Sequence, residues 1–204
     1  MTPPLPLVER KQRQARQRIV EAARELFLER GFDGVSVGDI AERAEVGRTT
    51  FFRHFGDKQE VVFAQEQELL DTITAAGRAE GIPAPGSATE AVEQLRPVIL
   101  ALCAQATADP EAYTRHFQLI GQHPELRARD AVKTQQIADQ LSELLIHRGS
   151  DDATAQFAGQ IAVACYQTAR RLGNNPRTLV NETGAALSRA LTLGAGTAET
   201  QAEP

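Results

Sequence analysis

Two short helical patterns joined by only three residues constrain the fold of this chain more than any other feature. Ser36 precedes the first pattern and an acidic residue follows three places later, which predicts an N-cap with a variant capping box. The first helix is predicted over residues 37–44 and the second over residues 48–55, where Phe51 and Phe55 share one face. Two short helices separated by so tight a turn are typical of a helix-turn-helix.

Apolar side chains before and within this motif are spaced to form one core. Residues 10–30 repeat apolar positions at helical intervals, which predicts an amphipathic first helix that stops at Gly31. We expect the crossing of the two short helices to bury six residues: Ile40, Ala41, Ala44, Val46, Phe51 and Phe55. The sequence therefore predicts a three-helix head in which the second helix braces the third.

The opposite face of the third helix is polar. It carries Arg48, Thr49, Arg53 and His54, all of which can hydrogen-bond to base edges or phosphates. A merely solvated polar face is the alternative interpretation. The position of this face on a helix-turn-helix favours contact with double-stranded DNA.

Residues 36–58, SVGDIAERAEVGRTTFFRHFGDK, resemble the TetR (tetracycline-repressor) family of bacterial regulators. The resemblance extends back through the first helix and covers about the first 62 residues. The signature positions that match are Val37, Ile40, Ala41, Ala44, Val46, Thr50, His54, Phe55 and Lys58.

The resemblance implies a set of DNA-binding residues: Ser36, Arg48, Thr49, Thr50, Phe52, Arg53, His54 and Lys58. Within it, Ser36 caps the second helix and can bond a phosphate, while His54 and Lys58 approach the DNA backbone. Arg53 is the better candidate for a base contact. Three departures from the family pattern concern this set: Phe52 replaces a tyrosine and lacks its hydroxyl, Glu45 stands where glycine is usual in the turn, and Gly47 replaces a capping serine.

The rest of the chain is predicted to be helical as well. Asp57 opens a long fourth helix that runs to about position 81, where two prolines and two glycines within residues 81–87 interrupt helical structure. Further helices are predicted over residues 89–107, 110–122, 124–148, 152–173 and 177–193. The fold class is therefore all-α, with a DNA-binding domain over residues 1–58, a larger helical effector-binding and dimerisation domain over 59–193 and a disordered tail over 194–204.

Charge is distributed unevenly along the chain. The net charge is −5, yet residues 1–58 hold eleven Lys or Arg against nine Asp or Glu, a net +2, which leaves −7 for the remainder. Residues 10–18 contain five basic side chains and no acidic one, a patch of the kind that follows a phosphate backbone. No apolar run is long enough to span a bilayer and the N-terminus lacks a signal-peptide core, so we expect no membrane partner and a cytoplasmic protein.

For the second domain, the resemblance implies a homodimer in which the last two helices of each subunit form a four-helix bundle. Small residues in the helix over 152–173 support close helix contact: Ala155, Ala158, Gly159, Ala162 and Ala169. A core within one chain would use the same residues. We favour the dimer, because a head with one recognition helix needs a partner about 34–36 Å away, one turn of DNA.

The resemblance also implies a small-molecule effector. The aromatic or polar residues expected to line its cavity are Tyr113, His116, Phe117, Phe157 and Tyr166, although each is more often core or surface. Few charges lie between positions 98 and 108, which hints at an apolar or amphipathic effector.

The sequence thus predicts a ligand-responsive repressor that leaves a palindromic operator when an effector fills the second domain. The four histidines form no metal-ligand spacing, and we find no phosphate loop or nucleophile–base set, so no metal, cofactor, catalytic residue or enzyme activity is expected. The alternative is a helical carrier of small molecules or lipids with a vestigial helix-turn-helix.

Overall fold

The computed structural model describes residues 7–77 and 81–195, and within these ranges every regular element is a helix. They are α1 (Leu7–Arg30), α2 (Val37–Arg43), α3 (Arg48–His54), α4 (Lys58–Val62), α5 (Glu66–Gly77), α6 (Ala88–Ala106), α7 (Pro110–Gln122), α8 (Pro124–His147), α9 (Asp152–Arg171) and α10 (Leu179–Ala195). The all-α prediction is confirmed. The chain divides into two compact units, Met1–Gln65 and Glu66–Pro204. The predicted disordered tail starts too early, since α10 includes residues 194 and 195, and the rest of that tail lies outside the described ranges.

The first unit is built around α1, against which the three following helices pack. The predicted crossing of α2 and α3 is confirmed, since Ile40 and Phe51 are fully buried and Phe55 is nearly so. Ile19 and Leu26 of α1 complete this core. At the surface, Arg43 pairs with Glu25 and Glu29 at 3.0 and 2.9 Å and so ties the end of α2 to α1.

The predicted long fourth helix is wrong. Asp57 does act as an N-cap, accepting a hydrogen bond from the Glu60 amide, but α4 ends at Val62 and α5 begins only at Glu66. The intervening turn buries Phe63 and Ala64, and the Ala64 carbonyl accepts a hydrogen bond from Arg16 of α1 at 2.6 Å. Val61 and Ala64 join the core of the first unit, and Phe63, about 160° from Val61 on a straight helix, is buried as well, so one straight helix could not bury all three on a single face.

The second unit has a core formed chiefly by α6, α8 and α9, with α10 and α5 packed against it. Its fully buried side chains include Leu95, Ile99, Leu141 and Leu145. The predicted ends of α6 to α10 lie within two residues of the observed ones. Among the described residues, no helix is both long and apolar enough to cross a membrane.

The small residues of α9 do not support a dimer interface as we expected. Ala155, Ala158, Ala162 and Ala169 are fully buried within a single chain, and Gly159 faces α8 so closely that a Cβ there would lie 2.7 Å from the Ala138 carbonyl oxygen. These residues permit close packing inside the subunit, which is the alternative that the sequence left open.

This close approach makes Gly159 sensitive to substitution. We expect Gly159→Ala to destabilise the protein by about 1–3 kcal/mol, because the new methyl overlaps the Ala138 backbone and the Ser142 hydroxyl. Gly121→Ala is the matched control, since its Cβ would meet no atom within 4 Å; it should leave stability unchanged or raise it by up to about 1 kcal/mol. Urea unfolding of both variants measures the difference, and equal stabilities would contradict the packing described.

Candidate nucleic-acid interface

The predicted capping box at the start of α2 is confirmed. Ser36 Oγ accepts a hydrogen bond from the Asp39 amide at 3.2 Å, and the Asp39 carboxylate accepts one from the Ser36 amide at 2.8 Å. Hydrogen bonds from Ser36, assisted by the nearby Arg30, hold the pKa of Asp39 below its usual value. The cap is therefore ionised at neutral pH and leaves the exposed Ser36 hydroxyl at the surface.

The turn between α2 and α3 has the two features that the sequence pattern suggested. Glu45 adopts a left-handed backbone with φ of 52°, the conformation for which glycine is usual. Gly47 is the N-cap of α3 and makes no side-chain capping bond. The Val46 amide donates to the Ala41 carbonyl oxygen at 2.9 Å, which closes the turn despite the strained residue.

Helix α3 presents an outward face opposite its buried phenylalanine. Phe51 is fully buried, whereas Arg48, Thr49, Phe52 and Arg53 are exposed, Phe52 by 54%. Phe52 stands edge-on to Phe51 with the ring centroids 5.6 Å apart. The structure thus brings two arginines, a threonine and an apolar ring to the surface of a single short helix.

Arg48 also reaches back to the start of α2. A Cβ built on Gly38 would lie 2.5 Å from Arg48 Nη2, so a larger residue at this position would displace the guanidinium. The two residues and Ser36 line an open cleft of about 410 Å³. Gly38 was not predicted as part of the site, although a glycine inside a seven-residue helix is an unfavourable choice that signals a close approach.

His54 and Lys58, in contrast, are drawn into the unit. Lys58 Nζ donates to the carbonyl oxygens of Phe32 and Val35 at 2.8 and 3.0 Å and lies 4.3 Å from the Phe32 ring centre. His54 Nε2 is buried without a hydrogen-bond partner, and burial, assisted by the charges of Arg53 and Arg16, lowers the pKa of His54. Contact of either side chain with the DNA backbone stays a prediction.

Arg16 has a structural position that the sequence did not reveal. We counted it in the basic patch of residues 10–18, but its guanidinium bonds the Ala64 carbonyl oxygen at 2.6 Å and lies 5.1 Å from the Phe55 ring centre. It therefore ties α1 to the turn after α4 and packs against the residue that ends α3. Because its hydrogen-bond partner Ala64 is 48 residues away, the local sequence pattern could not predict this role of Arg16.

Four of the five predicted effector residues meet in the second unit. Tyr113, His116 and Phe117 are neighbours on α7, with ring centroids 4.6 Å apart for Tyr113 and Phe117 and 4.9 Å apart for His116 and Phe117. Tyr166 of α9 packs against the same group. The Tyr113 hydroxyl donates to Asn174 Oδ1 at 2.5 Å.

A largely buried ion pair lies beside these rings and was not predicted. Arg170 of α9 bonds the Asp130 carboxylate at 3.0 and 3.3 Å, and its guanidinium lies 4.1 Å from the Phe117 ring centre. Burial lowers the pKa of His116 to about 4 and raises that of Tyr166 to about 12, so both are uncharged at neutral pH. Arg170 follows Tyr166 by four residues on one helical face, a signal that could have found it.

Phe157 does not belong to this cluster. It is 55% exposed and precedes Tyr166 by nine residues on α9, which places it about 13 Å away along the helix axis. The expectation that one cavity includes all five residues is therefore wrong, because the exposed face of α9 carries Phe157 away from the core.

Comparison with known proteins agrees with this geometry. Residues 19–64, which span the core of α1 to the turn after α4, match the family model described as bacterial regulatory proteins, tetR family. The transcriptional repressor AcnR of Corynebacterium efficiens is 30% identical over 139 residues, 64% of this chain and 73% of that protein. The chain belongs to the TetR family.

Two other regulators are similar to this chain beyond residues 19–64. The regulator TcmR of Streptomyces glaucescens is 27% identical over 169 residues, 81% of this chain and 74% of that protein. The crystal structure of Thermus thermophilus FadR, a TetR-family transcriptional repressor in complex with lauroyl-CoA, superimposes with a TM-score of 0.60 at 27% identity. It covers 93% of this chain and 99% of that one. These relatives are transcriptional regulators and not enzymes. This chain is accordingly a DNA-binding regulator.

Substitution of Lys58 distinguishes a structural role of this side chain from a contact with DNA. We expect Lys58→Met to destabilise the protein by about 1–3 kcal/mol, because two carbonyl oxygens lose their charged donor. Lys11→Met, at an exposed site, should leave thermal unfolding unchanged. A Lys58→Met variant with unaltered stability and weakened DNA binding would instead assign Lys58 to the backbone contact.

Proposed function

We propose that this chain is a ligand-responsive repressor that leaves a palindromic operator when a small-molecule effector binds its second unit. The observation that carries the proposal is the outward face of α3, which combines exposed Arg48, Thr49 and Arg53 on a helix whose other face is buried. Such a helix can enter the major groove without disturbing its own core. A chromosomal target implies a cytoplasmic protein, and we infer no catalytic role.

The exposed residues fall into one candidate for a base contact and several candidates for phosphate contacts. Arg53 lies in the last turn of α3 and is our candidate for a base contact, since arginine can bond guanine through two hydrogen bonds. Arg48 and Ser36, which share a cleft, are suited to phosphate oxygens, as are Thr49 and the half-buried Thr50.

The roles that we assign to Phe52, His54 and Lys58 follow from how exposed each side chain is. Phe52 can make an apolar contact such as that with a thymine methyl. His54 and Lys58 support the interface by shaping the end of α3 and the turn before α2, where the Lys58 ammonium holds two backbone carbonyls. The charged DNA contacts of α3 are therefore assigned to Arg48, for phosphates, and Arg53, for a base.

A binding assay against the DNA that flanks the gene tests this assignment. We expect the wild type to prefer one site over random duplex and the Arg48→Ala/Arg53→Ala variant to lose that preference, with about 1–3 kcal/mol lost for the base contact alone. Titration with salt measures both selective and non-selective affinity. Equal binding by the variant, or no selectivity in the wild type, would favour the carrier with a vestigial helix-turn-helix.

The effector is proposed to bind at the cluster of Tyr113, His116, Phe117 and Tyr166. These side chains form an uncharged aromatic cluster, buried at Tyr113 and half-buried at the other three, beside the Arg170–Asp130 pair, and this combination suits an amphipathic molecule. The lauroyl-CoA bound by the similar Thermus thermophilus repressor supports this chemistry. Lauroyl-CoA added to the operator complex is accordingly the first probe of release, with free coenzyme A as its control.

A homodimer is proposed because one recognition helix reads only half of a palindrome. The small face of α9 is occupied inside the subunit, and we place the subunit contact on the outer face of α9, where Phe157 is 55% exposed, together with α10. Exposed aromatic residues are typical anchors of protein interfaces.

Replacing this aromatic side chain tests the proposed contact. We expect Phe157→Glu to raise the dimer dissociation constant at least about tenfold, because it removes an apolar anchor and introduces a charge. Val132→Glu on α8, at a site that is 58% exposed, is the matched control and should leave the dimer intact. Sedimentation equilibrium measures both. If Phe157→Glu stays as dimeric as the control, the contact lies elsewhere.

A further inference from the structure

The first two turns of α1 project beyond the core of the first unit. Every residue of the segment 7–14 is exposed, and the first buried side chain of α1 is Ala15. We call this segment the arm. At about 1.5 Å per residue it extends α1 by roughly 12 Å past the residues that hold the helix-turn-helix together.

The cations of the arm are available to a partner. Among the described residues Arg10, Lys11 and Arg13 make no ion pair or side-chain hydrogen bond, and the one acidic residue of the arm is Glu9. This differs from the arginines deeper in the unit, since Arg16 bonds a carbonyl and Arg43 is held by two glutamates. An exposed helix with unpaired cations gains no stability for the fold from those charges, so a structural role does not account for them.

The arginines of the arm lie in a row that leads to the recognition helix. Arg10, Arg13 and Arg16 follow one another at intervals of three, so that neighbouring members are adjacent on the helix surface. The row ends where Arg16 lies against Phe55, directly after α3, and next to His54. Arg10 and Arg13 thus extend this row along α1 from the C-terminal end of α3 towards the exposed start of α1.

Lys11 and Arg18 lie on a different side of the same helix. They are seven residues apart and share a face that, at 100° per residue, is turned about 140–160° from Arg13 and about 80–100° from Arg10. That face continues into acidic residues, because Arg18 lines a cleft with Glu21 and Glu25. These carboxylates repel a phosphate backbone beside Arg18, whereas Arg13 lies on another side of the helix and Arg10 precedes Glu21 by eleven residues, about 16 Å along the helix axis.

We propose that Arg10 and Arg13 bind phosphates of the duplex that flank the bases read by α3. The arm would extend the footprint of each subunit outward without reading sequence, since phosphate contacts position a protein but do not distinguish bases. The proposal rests on the proposed function for the location of the contact, but the contact itself forms on any duplex. It also assigns a use to the basic patch in a chain whose net charge is −5.

The test compares two double variants of the full chain that remove the same charge from the same helix. Arg10→Gln/Arg13→Gln should lower the slope of log affinity against log salt by about one for each arginine per subunit, and should weaken operator and random duplex equally. Lys11→Gln/Arg18→Gln should leave that slope unchanged. Thermal unfolding of both variants should match the wild type, because all four side chains are exposed.

Each outcome bears on the arm separately from the recognition helix. An unchanged slope in Arg10→Gln/Arg13→Gln, or equal losses in the two double variants, would overturn the proposal. A selective loss at the operator alone would also overturn it, because it would mean base reading. If the wild type shows no preferred site, the proposed function fails, while the slopes on random duplex still decide the arm. A wild type that binds no duplex overturns both.

Discussion

The burial of Phe51 and Phe55 beneath α1 is the constraint on which the head of this protein depends. Helices α2 and α3 have seven residues each, too short to persist alone, so their stability comes from the core that they share with α1. Because these two phenylalanines are four residues apart, burying them fixes the rotation of α3 about its axis. The same packing therefore determines which side chains face outward, and the reading face follows from the hydrophobic core.

The placement of cations explains how an acidic protein presents a basic surface. Arg16, Arg43 and Lys58 are held by carbonyl oxygens or carboxylates, and these contacts fasten the ends of α2, α3 and α4 to the rest of the unit. Arg48 and Arg53 stay exposed on α3. The net charge counts paired and exposed cations alike, whereas the affinity for a phosphate backbone depends on the exposed ones. A count of basic residues consequently overstates the number available to DNA.

Sequence periodicity predicted most helices to within two residues, and local capping chemistry predicted the start of α2. What it missed depends on distant partners. The break after Val62 follows from burial of Phe63 and Ala64 and from the bond to Arg16, and the role of Lys58 follows from carbonyl groups 23 and 26 residues away. Neither is encoded in a local pattern. A family signature marked Lys58 without distinguishing whether it contacts DNA or supports the fold.

Helix α9 shows the same limit in the second unit, since a stripe of small residues permits close packing without saying against what. In the structure that stripe faces α8, where Gly159 approaches the Ala138 carbonyl, and Phe157 is left on the outside. The helix then carries Tyr166 of the proposed effector site in its C-terminal half and the proposed subunit contact in its N-terminal half. Because a packed helix moves as a rigid element, a shift that accommodates an effector would also move Phe157. Placing both sites on one rigid helix is the simplest physical route from ligand binding to the spacing of two recognition helices.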